Sequence, residues 1–330
     1  MTRGRSGAGP VIHSGRTTPR LMAHAVAALA PIALASTWRF GTAASVLFGV
    51  AIATAMLCDA VCDRRNANDG SAVVIGMIVA CLMPATAPWW LAAAGSAIAV
   101  LLGKHALGGL GRNLFNPAAL ARVLLMGLAP AAFFSPLWTI DGRTAATPLA
   151  KELGASPVTV VDLLLGLDSV TLGDAMPVAV LVGGLVLIAL RTIDWQVPLC
   201  YLGAISLLAL VLPPGERIVG HAPWLAGNPM AHLLNGSTLF CAFFMLTDPV
   251  TAPFTRPGRL VFCTLAAAYT MVVRYYTPYP DGVAFAVLLA NASVPFIDRK
   301  MIWGSVGRGA SDELPAVDRQ YLAGDEGGQG

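Results

Sequence analysis

The stretch Asp141-Gly142-Arg143-Thr144-Ala145-Ala146-Thr147-Pro148 gathers side chains that could carry chemistry. Thr147 precedes Pro148, whose ring disfavours helical backbone at the residue before it, so Thr147 is pushed to an extended conformation. Ala145 and Ala146 put little bulk beside it. A hydroxyl on an uncrowded, extended segment suits modification by a second enzyme. Asp141 and Thr144 could orient a metal or a phosphate during that attachment. The same eight residues also read as an Asp-Gly turn followed by a Pro-bounded loop, and alone they do not separate the two readings.

A second candidate is Gly108-Gly109-Leu110-Gly111-Arg112-Asn113-Leu114-Phe115-Asn116-Pro117. Asn116 is placed to cap a helix opened by Pro117. The positive end of that helix, with Arg112 and Arg122 nearby, favours a negative or electron-rich ring system. The competing reading is a tight loop whose glycines permit close helix packing. No strand precedes it, so it is not a dinucleotide fingerprint. Asp248 ends an apolar run, and a carboxylate at membrane depth is a functional candidate by default, as a cation ligand or as a cap on the next turn. Asp69 and Asp281 each stand before Gly at the start of a short apolar run, where helix capping accounts for them. His24, His232 and Asn291 read as interhelical hydrogen-bonding groups. The six cysteines form no CxxC pair and lie in or beside apolar runs. Cys58 and Cys62 share a helix face, but inert thiols explain all six better than a metal site.

These groups sit in a chain of 330 residues that is 56% hydrophobic and only 12% charged, with mean hydropathy +0.69. Soluble domains carry about 25% charged residues, so the expected solvent is a lipid bilayer. A net charge of +3 gives no sign of nucleic-acid binding. A crossing helix needs about 20 apolar residues. Ten such spans are expected, at about 21–38, 41–61, 70–84, 88–104, 117–134, 174–191, 195–212, 230–247, 258–275 and 282–298. The apolar run from Leu21 follows a basic N-terminus as in a secretory signal, but more spans follow, so an uncleaved first helix is expected.

The fold class is therefore all-α: a polytopic membrane protein of ten helices in two inverted five-helix halves. Residues 1–20 and 304–330 read as disordered tails, 21–134 and 174–303 as the halves, and 135–173 as the loop between them. With the N-terminus in the cytoplasm, only Arg39, Arg143, Lys151, Arg217 and Arg274 of the 21 Lys and Arg residues fall outside. That is the asymmetry of the positive-inside rule. Both termini are then cytoplasmic and the Thr147 loop is external. The halves also echo one another. Gly70-Ser71 and Pro84-Ala85-Thr86-Ala87-Pro88 match Gly236-Ser237 and Pro249-Val250-Thr251-Ala252-Pro253, about 165 residues further on. One Pro-x-Thr-Ala-Pro lies outside and the other inside, as in an inverted repeat with short, interrupted helices around a central site.

On these residues the chain resembles the D-subunit family of the bacterial Rnf electron-transport complex and, more distantly, the B subunit of the sodium-translocating NADH:quinone oxidoreductase. Five stretches carry the resemblance: Asp69-Gly70-Ser71-Ala72, Gly109 through Ala118, Asp141 through Leu149, Thr247-Asp248-Pro249-Val250-Thr251, and Tyr279 through Asn291. It implies ten transmembrane helices and an FMN joined through its phosphate to a threonine. The family's attachment pattern, roughly Asp-x-x-Ser/Thr-Gly-Ala-Thr, falls here on Asp141, Thr144, Ala145, Ala146 and Thr147. Ala145 replaces the glycine, a departure that matters if the loop needs positive φ there. The family's flavin transferase works outside the cytoplasm, in accord with the topology above.

The resemblance further implies the inner membrane of a bacterium, partner subunits with iron–sulfur clusters and a nucleotide site, and electron flow between ferredoxin and NAD coupled to sodium or proton movement. The quinone-reductase relative holds riboflavin as well, so Arg112, Asn113, Asn116 and Asp248 are candidates for an inner-face flavin or ion site. About twenty residues before the first helix favour the Rnf assignment. Two other readings remain, a quinone-reducing subunit and a transporter or channel with an inverted repeat and no redox centre.

Overall fold

The computed structural model describes residues 17–63, 69–106, 108–109, 111–134, 137–138, 144–145, 160–166, 171–212, 229–277 and 282–306. The chain is mostly helical, and helical segments occupy all ten expected positions. In the first half these are α1 (Thr18–Phe40), α2 (Thr42–Cys62), α3 (Ser71–Cys81), α4 (Trp89–Ile98) and α5 (Pro117–Leu128), followed by the single turn α6 (Pro130–Phe134). A two-residue hairpin, β1 (Leu137–Trp138) with β2 (Thr144–Ala145), and the short α7 (Val160–Leu164) fall in the inter-half loop. The second half holds α8 (Pro177–Ala189), α9 (Gln196–Val211), α10 (Pro229–Leu234), α11 (Thr238–Phe240), α12 (Arg256–Tyr276) and α13 (Val283–Val306).

Local sequence explains many of the boundaries. Pro19 in the first turn lets α1 begin at Thr18, three residues before the expected span. Gly41 ends it with φ 66°, and its N–H returns to the Thr37 carbonyl. Likewise α13 continues to Val306, past the expected start of the tail at 304. Two π-helical segments are not legible in the apolar pattern: Ala99–His105 prolongs α4, and Cys241–Met245 prolongs α11. The expected eighth span is broken in two at Asn235–Ser237, where Gly236 and Ser237 both take positive φ.

α1 and α2 are each long and apolar enough to cross a bilayer, whereas α3, α5, α8 and α9 are apolar but shorter. The surface is itself oily, with Trp38, Phe254 and Phe296 all more than 75% exposed. A water-facing monomer rarely spreads large apolar side chains so widely.

Inside, one apolar cluster joins both halves, and glycines let the helices approach. A Cβ at Gly76 would stand 2.8 Å from the Ile52 Cα of α2. One at Gly183 would overlap the Ala28 carbonyl of α1, and one at Gly184 the Phe243 ring. The crossing of α1 and α8 ties the halves together, so Gly183→Val should destabilise the fold by roughly 1–3 kcal/mol through overpacking. Thermal unfolding in detergent checks this, with Gly203→Val as the control, since nothing lies within 4 Å of a Cβ there.

Candidate functional site

Among the described residues, three clusters of polar side chains stand out in the apolar bundle. The first joins the halves at the side read as inner. Asn116 caps α5 by accepting from the backbone N–H groups of Ala118 and Ala119 at 3.1 and 3.2 Å. Its own N–H donates to Asn291 Oδ1 at 3.0 Å, and Asn291 Nδ2 donates to the Thr251 carbonyl at 3.1 Å. Thr251 Oγ1 in turn donates to Asp248 Oδ2 at 3.2 Å, while Asp248 Oδ1 accepts from Val250 N–H at 3.0 Å. Asp248 therefore closes the turn that follows it, one of its two expected roles. Asn116 and Asp248 are brought together through Asn291, which is fully buried. Asn113 is buried close by in sequence, and its Oδ1 has no hydrogen-bond partner among the described residues. Arg112 does not join them: it is exposed and packs over Gly108.

The second cluster joins Asp69 and Ser71, from the Asp69-Gly70-Ser71-Ala72 stretch, to three residues that no sequence motif singles out: Asp59, Lys104 and His105. Asp59 lies inside the apolar α2 with its side chain 1% exposed. Its Oδ1 accepts from Lys104 Nζ at 2.6 Å and faces His105 Nε2 at 2.7 Å. Lys104 Nζ donates also to Ser71 Oγ at 2.8 Å and stands 4.0 Å from Asp69 Oδ2. Asp69 Oδ1 accepts from the Ser71 N–H and Oγ at 2.8 and 2.6 Å. The cap of α3 is Gly70, and Asp69 acts one residue earlier than expected, as a bridge from the turn to the ammonium. The signal that could have revealed the cluster is an acid within an apolar span.

The third cluster lies where α10 breaks. Asp174 Oδ2 accepts from Ser237 N–H and Oγ at 2.6 and 2.9 Å and from Thr171 Oγ1 at 3.0 Å. Arg274, from the last turn of α12, donates to the carbonyls of His232, Asn235 and Gly236 and to Thr238 Oγ1. His232 Nε2 lies 3.2 Å from Tyr275 Oη, and His24 Nδ1 lies 2.9 Å from Thr192 Oγ1. Both histidines have the hydrogen-bonding role expected of them.

Asp141 and Thr147 lie outside the described residues, as does Asp281. Thr144 opens β2, its backbone paired antiparallel with Trp138, and Ala145 pairs with Leu137. Ala145, which stands where the family pattern has glycine, lies in extended backbone, which any residue adopts. Of the cysteines, Cys81, Cys241 and Cys263 are buried, Cys58 and Cys200 are partly buried, and Cys62 is exposed. No group of three or more metal-ligating side chains gathers among the described residues.

Short, interrupted helices with charges buried at their breaks, in so apolar a chain, mark a membrane protein. The chain belongs to the NQR2, RnfD, RnfE family, whose model matches residues 6–307. It is 35% identical to the D subunit of the ion-translocating oxidoreductase complex of Stutzerimonas stutzeri, over 88% of this chain and 92% of that one. It is 34% identical to the D subunit of the Na(+)-translocating ferredoxin:NAD(+) oxidoreductase complex of Acetobacterium woodii, over 88% and 91%. The D subunit of the Halorhodospira halophila ion-translocating oxidoreductase complex is 34% identical over 92% and 96%. The resemblance read from the motifs is thus borne out over nearly the whole chain.

Replacing Asn291 by Leu should leave the Asn116 N–H and the Thr251 carbonyl buried without partners, at roughly 1–3 kcal/mol for each group. The loss is read as a lower unfolding temperature of the purified subunit, and Leu289→Ala on the exposed face of the same helix should cost far less.

Proposed function

We propose that the chain is the Rnf-type membrane subunit that carries FMN on Thr147, within a complex that couples electron transfer between ferredoxin and NAD to ion translocation. It crosses the bacterial inner membrane ten times, with both termini in the cytoplasm and the 135–173 loop outside. The observation that carries this reading is the family match over residues 6–307, a range that encloses the whole attachment pattern from Asp141 to Thr147. The name of the Acetobacterium woodii relative supports the ferredoxin and NAD assignment. The extended backbone of Thr144 and Ala145 supports an accessible acceptor loop.

In this reading Thr147 Oγ holds the flavin phosphate, and Asp141 and Thr144 orient it while a flavin transferase makes the bond. Bound FMN supplies the electron transfer; the protein supplies position and electrostatic surroundings. Tethering fixes the cofactor at a high local concentration on one face. On the other face, Asn113, Asn116 and Asp248 form the candidate flavin or ion site, with riboflavin as the second cofactor. Asn113 Oδ1 supports this, as a buried acceptor open to a ring N–H or a cation. Arg112, exposed and apart, would act only as a charge at its rim. The partners are the remaining subunits of the complex, the transferase and the surrounding lipid.

The family model also spans NQR2, which keeps a quinone-reducing subunit as the second reading. Quinone-dependent NADH oxidation by the purified complex would favour it. The flavin assignment is tested by coexpression with and without a flavin transferase. Intact mass should rise by one FMN less water only with the transferase, and the band should fluoresce on a denaturing gel. Thr147→Ala should abolish both signals. Fluorescence that survives the substitution moves the attachment elsewhere, and its absence from the unaltered chain favours a transporter without a redox centre.

A further inference from the structure

We propose that the corner where α12 begins and α13 nears its end binds the headgroup of an anionic phospholipid, with Arg256 and Arg299 on its phosphate. The inference goes beyond the flavin assignment and does not depend on it. It starts from how the two helices are joined. The Phe254 N–H donates to Asp298 Oδ1 at 3.3 Å. A Cβ at Gly258 would stand 3.3 Å from Ile297 Cγ2. The first turn of α12 therefore lies against residues 297–300 of α13. Arg259 fixes the same corner, donating to the carbonyls of Pro253 and Phe254 and standing 3.7 Å from Asp194 Oδ2.

Four cations meet there: Arg256, Arg259, Arg299 and Lys300. Arg259 is engaged by the carbonyls and by Asp194, and Asp298 is buried beneath the Phe254 N–H. Arg256, Arg299 and Lys300 are exposed, and their side chains make no ion pair or hydrogen bond among the described residues. Arg256 and Arg259 also stand in the first turn of α12, which holds no acidic residue. A helix start carries partial positive charge, so it repels cations and attracts anions. Two arginines at that position are unfavourable until an anion joins them, and a guanidinium matches phosphate oxygens in pairs.

The apolar neighbours say which anion. Phe254, at the joint itself, is 80% exposed. Phe296 is 76% exposed, one turn before Arg299 and Lys300 on the same side of α13, and Leu289 continues that exposed face two turns further back. From Arg256, α12 likewise runs on to the exposed Leu260 and Val261. These side chains offer a soluble anion nothing, whereas acyl chains below a bound phosphate would lie along them. Basic pockets between membrane helices take lipid headgroups in this way. The rival occupant is acidic chain. Asp312 and Glu313 follow α13 in the sequence, beyond Arg308, and all three lie outside the described residues. Carboxylates would match the arginines but not the exposed rings.

The test offers the full-length subunit in detergent equal amounts of phosphatidylglycerol and phosphatidylcholine, and native mass spectrometry reads the lipid retained. Phosphatidylglycerol should stay as a discrete adduct at several-fold higher occupancy. One cation at a membrane surface changes the hold on anionic lipid by about fivefold. Arg256→Gln and Arg299→Gln should each weaken retention by about that factor. Arg20→Gln removes the same charge from the exposed start of α1 and should leave retention unchanged. Equal retention of the two lipids overturns the proposal. So does a loss in Arg20→Gln as large as in the other two, since the attraction would then be diffuse. Full displacement by an equal concentration of inorganic phosphate overturns it as well, because the anion alone would be the ligand. Binding that appears only after Asp312→Asn and Glu313→Gln would make the chain's own tail the occupant, and the lipid assignment would fall.

Discussion

In an apolar surround, every backbone N–H and carbonyl freed by a helix break must find a partner within the protein. This chain breaks its helices repeatedly, and the rest of the structure follows from how those ends are met. The carbonyl end of α3 is closed by the Arg122 guanidinium on Leu82, while Met83 accepts from the Leu172 N–H and Pro84 forms a bridge with Thr171. Ser36 of α1 holds the Leu172 carbonyl in turn, and Arg39 holds those of Leu165 and Ala175. The segment 171–175 thus splints the end of α3 to α1. At the break after α10 one side chain, Arg274, serves three carbonyls. A guanidinium suits this task because its donors are fixed in a planar fork.

The two halves meet this demand with related parts. Gly70-Ser71 and Gly236-Ser237, paired in the sequence, both open the element that follows with a positive-φ glycine. In both, the serine donates its N–H and its hydroxyl to one carboxylate oxygen, from Asp69 in the first half and Asp174 in the second. Each also has a cation from near the end of the next long helical element. Lys104 reaches Ser71 Oγ, and Arg274 reaches Thr238 Oγ1. The acids come from different places in the chain, so the likeness is one of chemistry at corresponding positions rather than of copied sequence. It supports the repeat more strongly than matched proline motifs do, because hydrogen-bond geometry is independent of the residue pattern that pairs the two halves.

Much of this fold is legible in the sequence because apolar runs bounded by Pro, Gly and polar residues set where the helical segments lie. The ten runs, the Asn116 cap before Pro117 and the bonding roles of Asn291 and His232 all follow from local rules. What escapes such a reading depends on contacts between distant residues. Asp59 and Lys104 are 45 positions apart, and nothing local says that they meet. The π-helical turns at Ala99–His105 and Cys241–Met245 leave hydropathy unchanged while rotating the side chains that follow. Asp248 shows the same limit in milder form: its place is plain, but its bond to the Thr251 hydroxyl is seen only in the structure.

The buried charges also bear on orientation. The positive-inside rule concerns cations that face the headgroups and remain in the loops. Lys104, Arg122 and Arg274 are each less than 10% exposed and engaged inside the protein, so their position reports packing and not membrane charge. Lys104 and Arg122 belong to the set expected inside and Arg274 to the set expected outside, and with all three set aside the charge pattern of the sequence still has most of its cations in the expected inner segments. Arg39 is engaged as well, through two carbonyls, which thins the external set further.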